Sequence, residues 1–119
     1  MSVNSLMRKF AWAFSGLALV VKEESNMRFH LLAAGLALGL GWVLGLNLME
    51  WGLLIVAIFL VWIAEVVNTA IERAVDLITP QYHPLAEQAK NMAAGAVLLS
   101  SVAAVLLGLF IFGPHIFKA

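Results

Sequence analysis

A helix needs about 20 largely apolar residues to cross the hydrocarbon core of a bilayer, and three segments of this 119-residue chain meet that requirement. They run from Phe29 to Met49, from Trp51 to about Ile78, and from about Ala86 to Phe112. A soluble domain of this length has no core large enough to hide them. With 63% hydrophobic and 12% charged residues the whole chain calls for lipid as its solvent. The expected fold class is therefore an all-α integral membrane protein, one domain spanning residues 1–119.

Each segment has its own character. The first carries Gly35, Gly39, Gly41 and Gly45 as two small-xxx-small pairs that let another helix approach closely. The third is rich in small residues at Ala93, Ala94, Gly95, Ala103, Ala104 and Gly108, which predicts tight packing. Ahead of them, residues 3–21 place Leu6, Phe10, Ala13, Phe14 and Leu17 at helical spacing with Arg8 and Lys9 alongside. That pattern predicts an amphipathic helix lying on the membrane surface. The two prolines of Thr79-Pro80-Gln81-Tyr82-His83-Pro84 require a turn between the second and third spans, and a very short connection is expected around Asn47 to Glu50. Trp12, Trp42, Trp51 and Trp62 include anchors for the headgroup level.

Lysine and arginine in short loops mark the cytoplasmic side. With three spans, Arg8, Lys9, Lys22, Arg28, Arg73 and Lys90 share one side and only Lys118 is opposite. The N-terminus and the Pro80 turn are thus expected to face the cytoplasm. The N-terminal stretch ends in Lys22, Glu23 and Glu24 and does not read as a cleaved secretory signal.

Several chemistries are excluded. Without cysteine there are no disulfides, thiolate-bound metals or thiol nucleophiles, so any metal site must use oxygen or imidazole. A formal net charge of zero supplies no field for nucleic acid. Neither a Walker loop nor a GxGxxG turn is present, so a nucleotide site would have to be assembled from helices.

The second span is the unusual one, because Glu65, Asn68, Glu72 and Asp76 interrupt it. An ionised side chain near the centre of a span costs roughly 2.5 to 3.5 kcal/mol on insertion scales. At 100° per residue Thr69, Glu72 and Asp76 each fall within about 40° of Glu65, with Asn68 about 60° to the side. At about 1.5 Å per residue Glu65 lies some 21 Å from Trp51 and Glu72 some 31 Å, against a core of about 30 Å. The stripe therefore climbs from the inner leaflet into the headgroup zone.

Phosphoryl transfer from a nucleotide to a lipid hydroxyl would use such a place. It needs a group to orient the hydroxyl, hard oxygen ligands for magnesium and a cation near the phosphates. Glu65, then Glu72 with Glu24, and Lys90 supply these types. The same spacing also fits a proton relay in a small transporter, or polar contacts between bundled helices for Asn68 and Thr69. His30 and His115 read as interfacial side chains, and His83, beside Tyr82, reads equally as a turn residue or a neighbour of a nucleotide base.

The run Glu65-Val66-Val67-Asn68-Thr69-Ala70-Ile71-Glu72-Arg73-Ala74-Val75-Asp76 resembles the E-x-x-N-[ST]-A-I-E-x-x-[VI]-D motif of the prokaryotic diacylglycerol kinase family. The resemblance extends through His83-Pro84-Leu85-Ala86, Ala89-Lys90 and Ala93-Ala94-Gly95-Ala96-Val97, and back to Glu24-Ser25-Asn26-Met27-Arg28-Phe29-His30. The His-Pro-Leu-Ala turn and the Ala-Ala-Gly-Ala-Val run look more like the undecaprenol kinase branch than the enterobacterial diacylglycerol kinase branch. The resemblance implies a homotrimer in the bacterial cytoplasmic membrane that phosphorylates a membrane lipid with ATP and magnesium, most simply undecaprenol, alternatively diacylglycerol. It implies Glu65 as catalytic base with Asn68 beside it, Glu24 and Glu72 as metal carboxylates, and Glu65 with Ala94 at the lipid substrate. It further implies nucleotide contacts from Trp12, Glu24, Glu72, Asp76, Gln81, Tyr82, His83, Lys90 and Asn91.

One position departs from the pattern. After Lys90 the family has aspartate, and this chain has Asn91. An amide still accepts a hydrogen bond, but it neither neutralises Lys90 nor supports a metal as a carboxylate does. The departure predicts a retained fold and a lowered turnover.

Overall fold

The computed structural model describes residues 2–117; Lys118 lies outside them. These residues form four helices, α1 (Val3–Glu23), α2 (Ser25–Leu44), α3 (Leu48–Ile78) and α4 (Pro84–Ile116). The last three are long and apolar enough to cross a membrane. The helices α3 and α4 form an antiparallel hairpin, and α2 packs back along α3.

The expected spans are shifted at their ends, for local reasons. Only Glu24, with extended backbone, separates α1 from α2. The break is closed by Arg28, whose Nη1 donates to the carbonyls of Val21 and Lys22 at 2.9 Å each. The second helix ends at Leu44 because Gly45 takes the left-handed conformation at φ 71°, which only glycine adopts freely. Asn47 then caps α3. Its side chain accepts from the Glu50 N–H while Glu50 accepts from the Asn47 N–H, a reciprocal capping box. The connection is therefore residues 45–47, earlier than the expected Asn47 to Glu50, because Glu50 belongs to the first turn of α3.

The glycine expectation holds only in part. A side chain on Gly41 would meet Leu46 Cδ1 at 2.8 Å and Trp51 Cη2 at 3.1 Å, so Gly41 is a true close approach, to the following turn and to the first turn of α3. Gly35 and Gly39 face no other part of the chain within 4 Å. Likewise Gly95 and Gly108 on α4 meet nothing within that distance.

The apolar core is small. Leu46, Leu54 and Ile111 form its buried centre, with Ala37, Trp51, Ile58, Leu107 and Phe112 against it. On α3 the buried positions are Leu54, Ala57, Val61, Glu65 and Thr69, spaced by three and four residues along one face. Glu65 and Thr69 thus continue an apolar stripe. The chain has a radius of gyration of 17.6 Å, where a compact globule of this length has about 13.5 Å.

Candidate active site

The carboxylates that the sequence singles out lie where α1, α2 and α3 meet and where α3 turns into α4. Helical periodicity carries Glu65 into the buried face, so that it is only 3% exposed. His30, arriving from α2, places Nε2 3.6 Å from Glu65 Oε2. The Trp62 indole N–H, one turn earlier on α3, reaches the His30 carbonyl at 3.5 Å and fixes α2 at this height.

One turn beyond, Asn68 Nδ2 donates to Glu72 Oε1 at 3.2 Å, and this orients the carboxylate. Asn68 Oδ1 is buried and has no hydrogen-bond partner. A buried acceptor without a donor is costly, so the site offers an unfilled place for a donor or a cation. Thr69 behaves differently from its neighbours in the stripe. Its hydroxyl donates to the Glu65 carbonyl at 3.0 Å within α3 and is therefore turned into its own helix.

Further along, Lys90 Nζ on α4 lies 2.6 Å from Asp76 Oδ1 on α3. This pair spans the turn that carries Gln81, Tyr82 and His83, all exposed. His83 caps α4: its Nδ1 accepts from the Leu85 N–H at 3.1 Å, and Pro84 occupies the first helical position, where no N–H is needed. Asn91 and Ala94 are exposed on α4, next to and about one turn beyond Lys90. Glu24 is half-buried at the α1–α2 corner, which is braced by Arg28 and by an ion pair between Arg73 on α3 and Glu23. Trp12 is 67% exposed on α1, about 18 Å along the chain axis from Glu24.

Glu65, Asn68, Glu72, Asp76 and Lys90 therefore line one end of the α2–α3–α4 bundle, with Glu24 at its corner, while Trp12 stands apart. Two ring contacts were not legible from spacing. One is His30 beside Glu65. The other is His115 at the opposite end, whose Nε2 lies 3.1 and 3.0 Å from the two carboxylate oxygens of Glu50. Both histidines do more than anchor the interface. Each pair sits nearly symmetrically about its turn, and folding the chain as an antiparallel hairpin on paper would have found them.

Between α2, α3 and α4 runs an apolar cleft of about 390 Å³. His30 and Trp62 line it near the carboxylates, Ala33, Ala57 and Ala104 line it further along, and Phe112 lies toward the other end.

No three histidine or acidic side chains among the described residues come together as a ready-made metal site. Magnesium does not require one, since it is commonly held by one or two carboxylates and the phosphates of its nucleotide. The oxygen-only set of Glu72, Glu24 and the unpartnered Asn68 Oδ1 suits such a hard cation.

The comparisons with known proteins cover most of the chain. The family model for prokaryotic diacylglycerol kinase matches residues 11–112. The chain belongs to the prokaryotic diacylglycerol kinase family. It is 39% identical to the undecaprenol kinase of Bacillus subtilis (strain 168) over 96% of this chain and 93% of that one. It is 34% identical to a diacylglycerol kinase of Helicobacter pylori (strain J99) over 93% of this chain and 84% of that one. With the diacylglycerol kinase of Escherichia coli (strain K12) it shares 31% identity, over 92% and 90% of the two chains. Family membership makes the chain an ATP-dependent membrane lipid kinase and decides between the kinase and transport readings that spacing left open.

Proposed function

We propose that this member of the family phosphorylates undecaprenol, transferring the γ-phosphate of ATP to the lipid hydroxyl at the cytoplasmic headgroup level. The observation that carries the reading is the buried Glu65 carboxylate, 3.6 Å from His30, which lines an apolar cleft, and one to two turns from Glu72 and Asn68. A hydrocarbon chain lying in the cleft brings its hydroxyl to Glu65, while the exposed end, with Asp76, Lys90 and the 81–83 turn, faces the water-soluble nucleotide. The preference for undecaprenol rests on the His83-Pro84-Leu85-Ala86 turn, on the Ala93–Val97 run and on the greater likeness to an undecaprenol kinase.

In this reading Glu65 takes the hydroxyl proton, and Asn68 orients Glu72 through its amide. Glu24 and Glu72 hold magnesium, which when bound neutralises charge on the phosphates. Lys90 meets the phosphates, positioned by Asp76; Asn91, Gln81, Tyr82, His83 and Trp12 contribute further nucleotide contacts, and Ala94 keeps the substrate side of α4 open. The helix α1 lies on the membrane surface with Leu6, Phe10 and Phe14 toward lipid, and the N-terminus is cytoplasmic. A homotrimer covers the apolar faces that one chain leaves open: the core of a single chain is small, and its radius of gyration exceeds that of a globule.

Competition of undecaprenol and diacylglycerol for labelled ATP in one micellar assay tests the substrate. Preferential labelling of undecaprenol is expected; preferential labelling of diacylglycerol would overturn the assignment.

A further inference from the structure

A base that is 3% exposed must lose, in every cycle, the proton it has just taken. His30 is the only lysine, arginine or histidine among the described residues within 4.0 Å of the Glu65 carboxylate, at 3.6 Å, and its side chain is 21% exposed against 4% for that of Glu65. An approach of about half an ångström makes this a hydrogen bond. The imidazole is held at that height because Trp62 on α3 reaches the His30 carbonyl, and Phe29 packs edge-on against its ring. The other ionisable groups whose field reaches Glu65 are Glu24 at the α1–α2 corner and Glu72 on α3. From α4 only the Ser101 hydroxyl adds a polar group to the cleft, and Lys90 is engaged by Asp76.

We propose that His30 is the proton outlet of the site, accepting at Nε2 the proton that Glu65 takes from the lipid hydroxyl and releasing one from Nδ1 toward the headgroup water. The inference rests on the reading of Glu65 as the base. The lipid oxygen bonds to the γ-phosphorus as the bond from that phosphorus to the bridging oxygen of ADP breaks. The hydroxyl proton passes to Glu65 and then to His30, which returns Glu65 as a carboxylate; the ring, left protonated at Nε2, regains its starting tautomer by proton exchange with the headgroup water before the next lipid. Imidazole is the side chain that both accepts and gives up a proton in the physiological range, which lysine and arginine do not. His30 is thus a positioning and proton-accepting residue that acts through Glu65.

The test compares wild type, Glu65→Gln, His30→Gln and His30→Ala in mixed micelles, with binding of a magnesium-bound non-hydrolysable ATP analogue measured for each. With His30→Gln, kcat is expected to fall about tenfold or more while the KM values for ATP and lipid stay within about twofold. Added imidazole is expected to restore kcat of His30→Ala in proportion to its free-base fraction, so that rescue grows as pH rises through its pKa. Wild-type kcat in His30→Gln with a dead Glu65→Gln would overturn the outlet and leave the base in place. An active Glu65→Gln would remove the base reading, and the outlet with it. A loss confined to KM, or a kcat loss in both His30 variants that imidazole does not restore, would make His30 a packing or substrate contact and overturn the proposal.

Discussion

Exchanging Glu65 for leucine removes the one carboxylate that the described residues bury, and it should separate stability from activity. Glu65 lies on the face that also carries Leu54, Ala57 and Val61, is 3% exposed, and has His30 at 3.6 Å as its only ion-pair partner among the described residues. An acidic residue at the centre of a span costs roughly 2.5 to 3.5 kcal/mol, whereas leucine contributes a few tenths of a kcal/mol favourably. Glu65 is 17 residues beyond Leu48, or about 26 Å into a core of about 30 Å, so less than half of the central penalty applies. The net gain is about 1 to 2 kcal/mol, because His30 loses only a 3.6 Å contact, longer than a hydrogen bond. Reversible unfolding by sodium dodecyl sulfate in mixed micelles reads this difference. Glu65→Leu should unfold at a higher detergent fraction than wild type and transfer no phosphate. Destabilisation by Glu65→Leu would refute the view that this carboxylate is kept for chemistry against the preference of the fold.

Three further outcomes are expected. Gly45→Ala should lower stability by about 1 kcal/mol in the same unfolding assay, with Gly45→Asn costing less, because φ 71° strains an L side chain and asparagine tolerates it best; equal stability of Gly45→Ala and wild type would contradict the turn geometry. Lys90→Met should leave stability within about 0.5 kcal/mol, since the Lys90–Asp76 pair is solvent-exposed on both sides, yet raise the KM for magnesium-bound ATP several-fold; an unchanged KM would remove Lys90 from the nucleotide site. Asn91→Asp should raise kcat by restoring a carboxylate beside Lys90, and an unchanged or lower rate would show that the amide costs nothing.

The three spans and the carboxylate stripe were legible because both are properties of one helix at a time: composition gives the span, and a period of 3.6 gives the face. What spacing within a helix does not carry is which neighbouring helix meets that face, and at what height. Thr69 shares the stripe by angle but is occupied by the Glu65 carbonyl of its own helix. His30 and His115 looked like interfacial residues because their partners lie 35 and 65 positions away. The turn at Gly45 was hidden by a run of glycines that all suited close packing, of which one alone takes a positive φ. The corner at Glu24 has neither proline nor glycine to mark it; a side chain, Arg28, closes α1 by donating to its last carbonyls.

In the proposed reaction a buried carboxylate on α3 activates a lipid hydroxyl toward ATP. Its most direct test is magnesium-dependent transfer of labelled phosphate from ATP to undecaprenol by the purified protein, with Glu65→Gln beside it. Labelled undecaprenyl phosphate is expected from wild type and none from the variant, with nucleotide binding alike in both. Wild-type turnover in Glu65→Gln would contradict this activation.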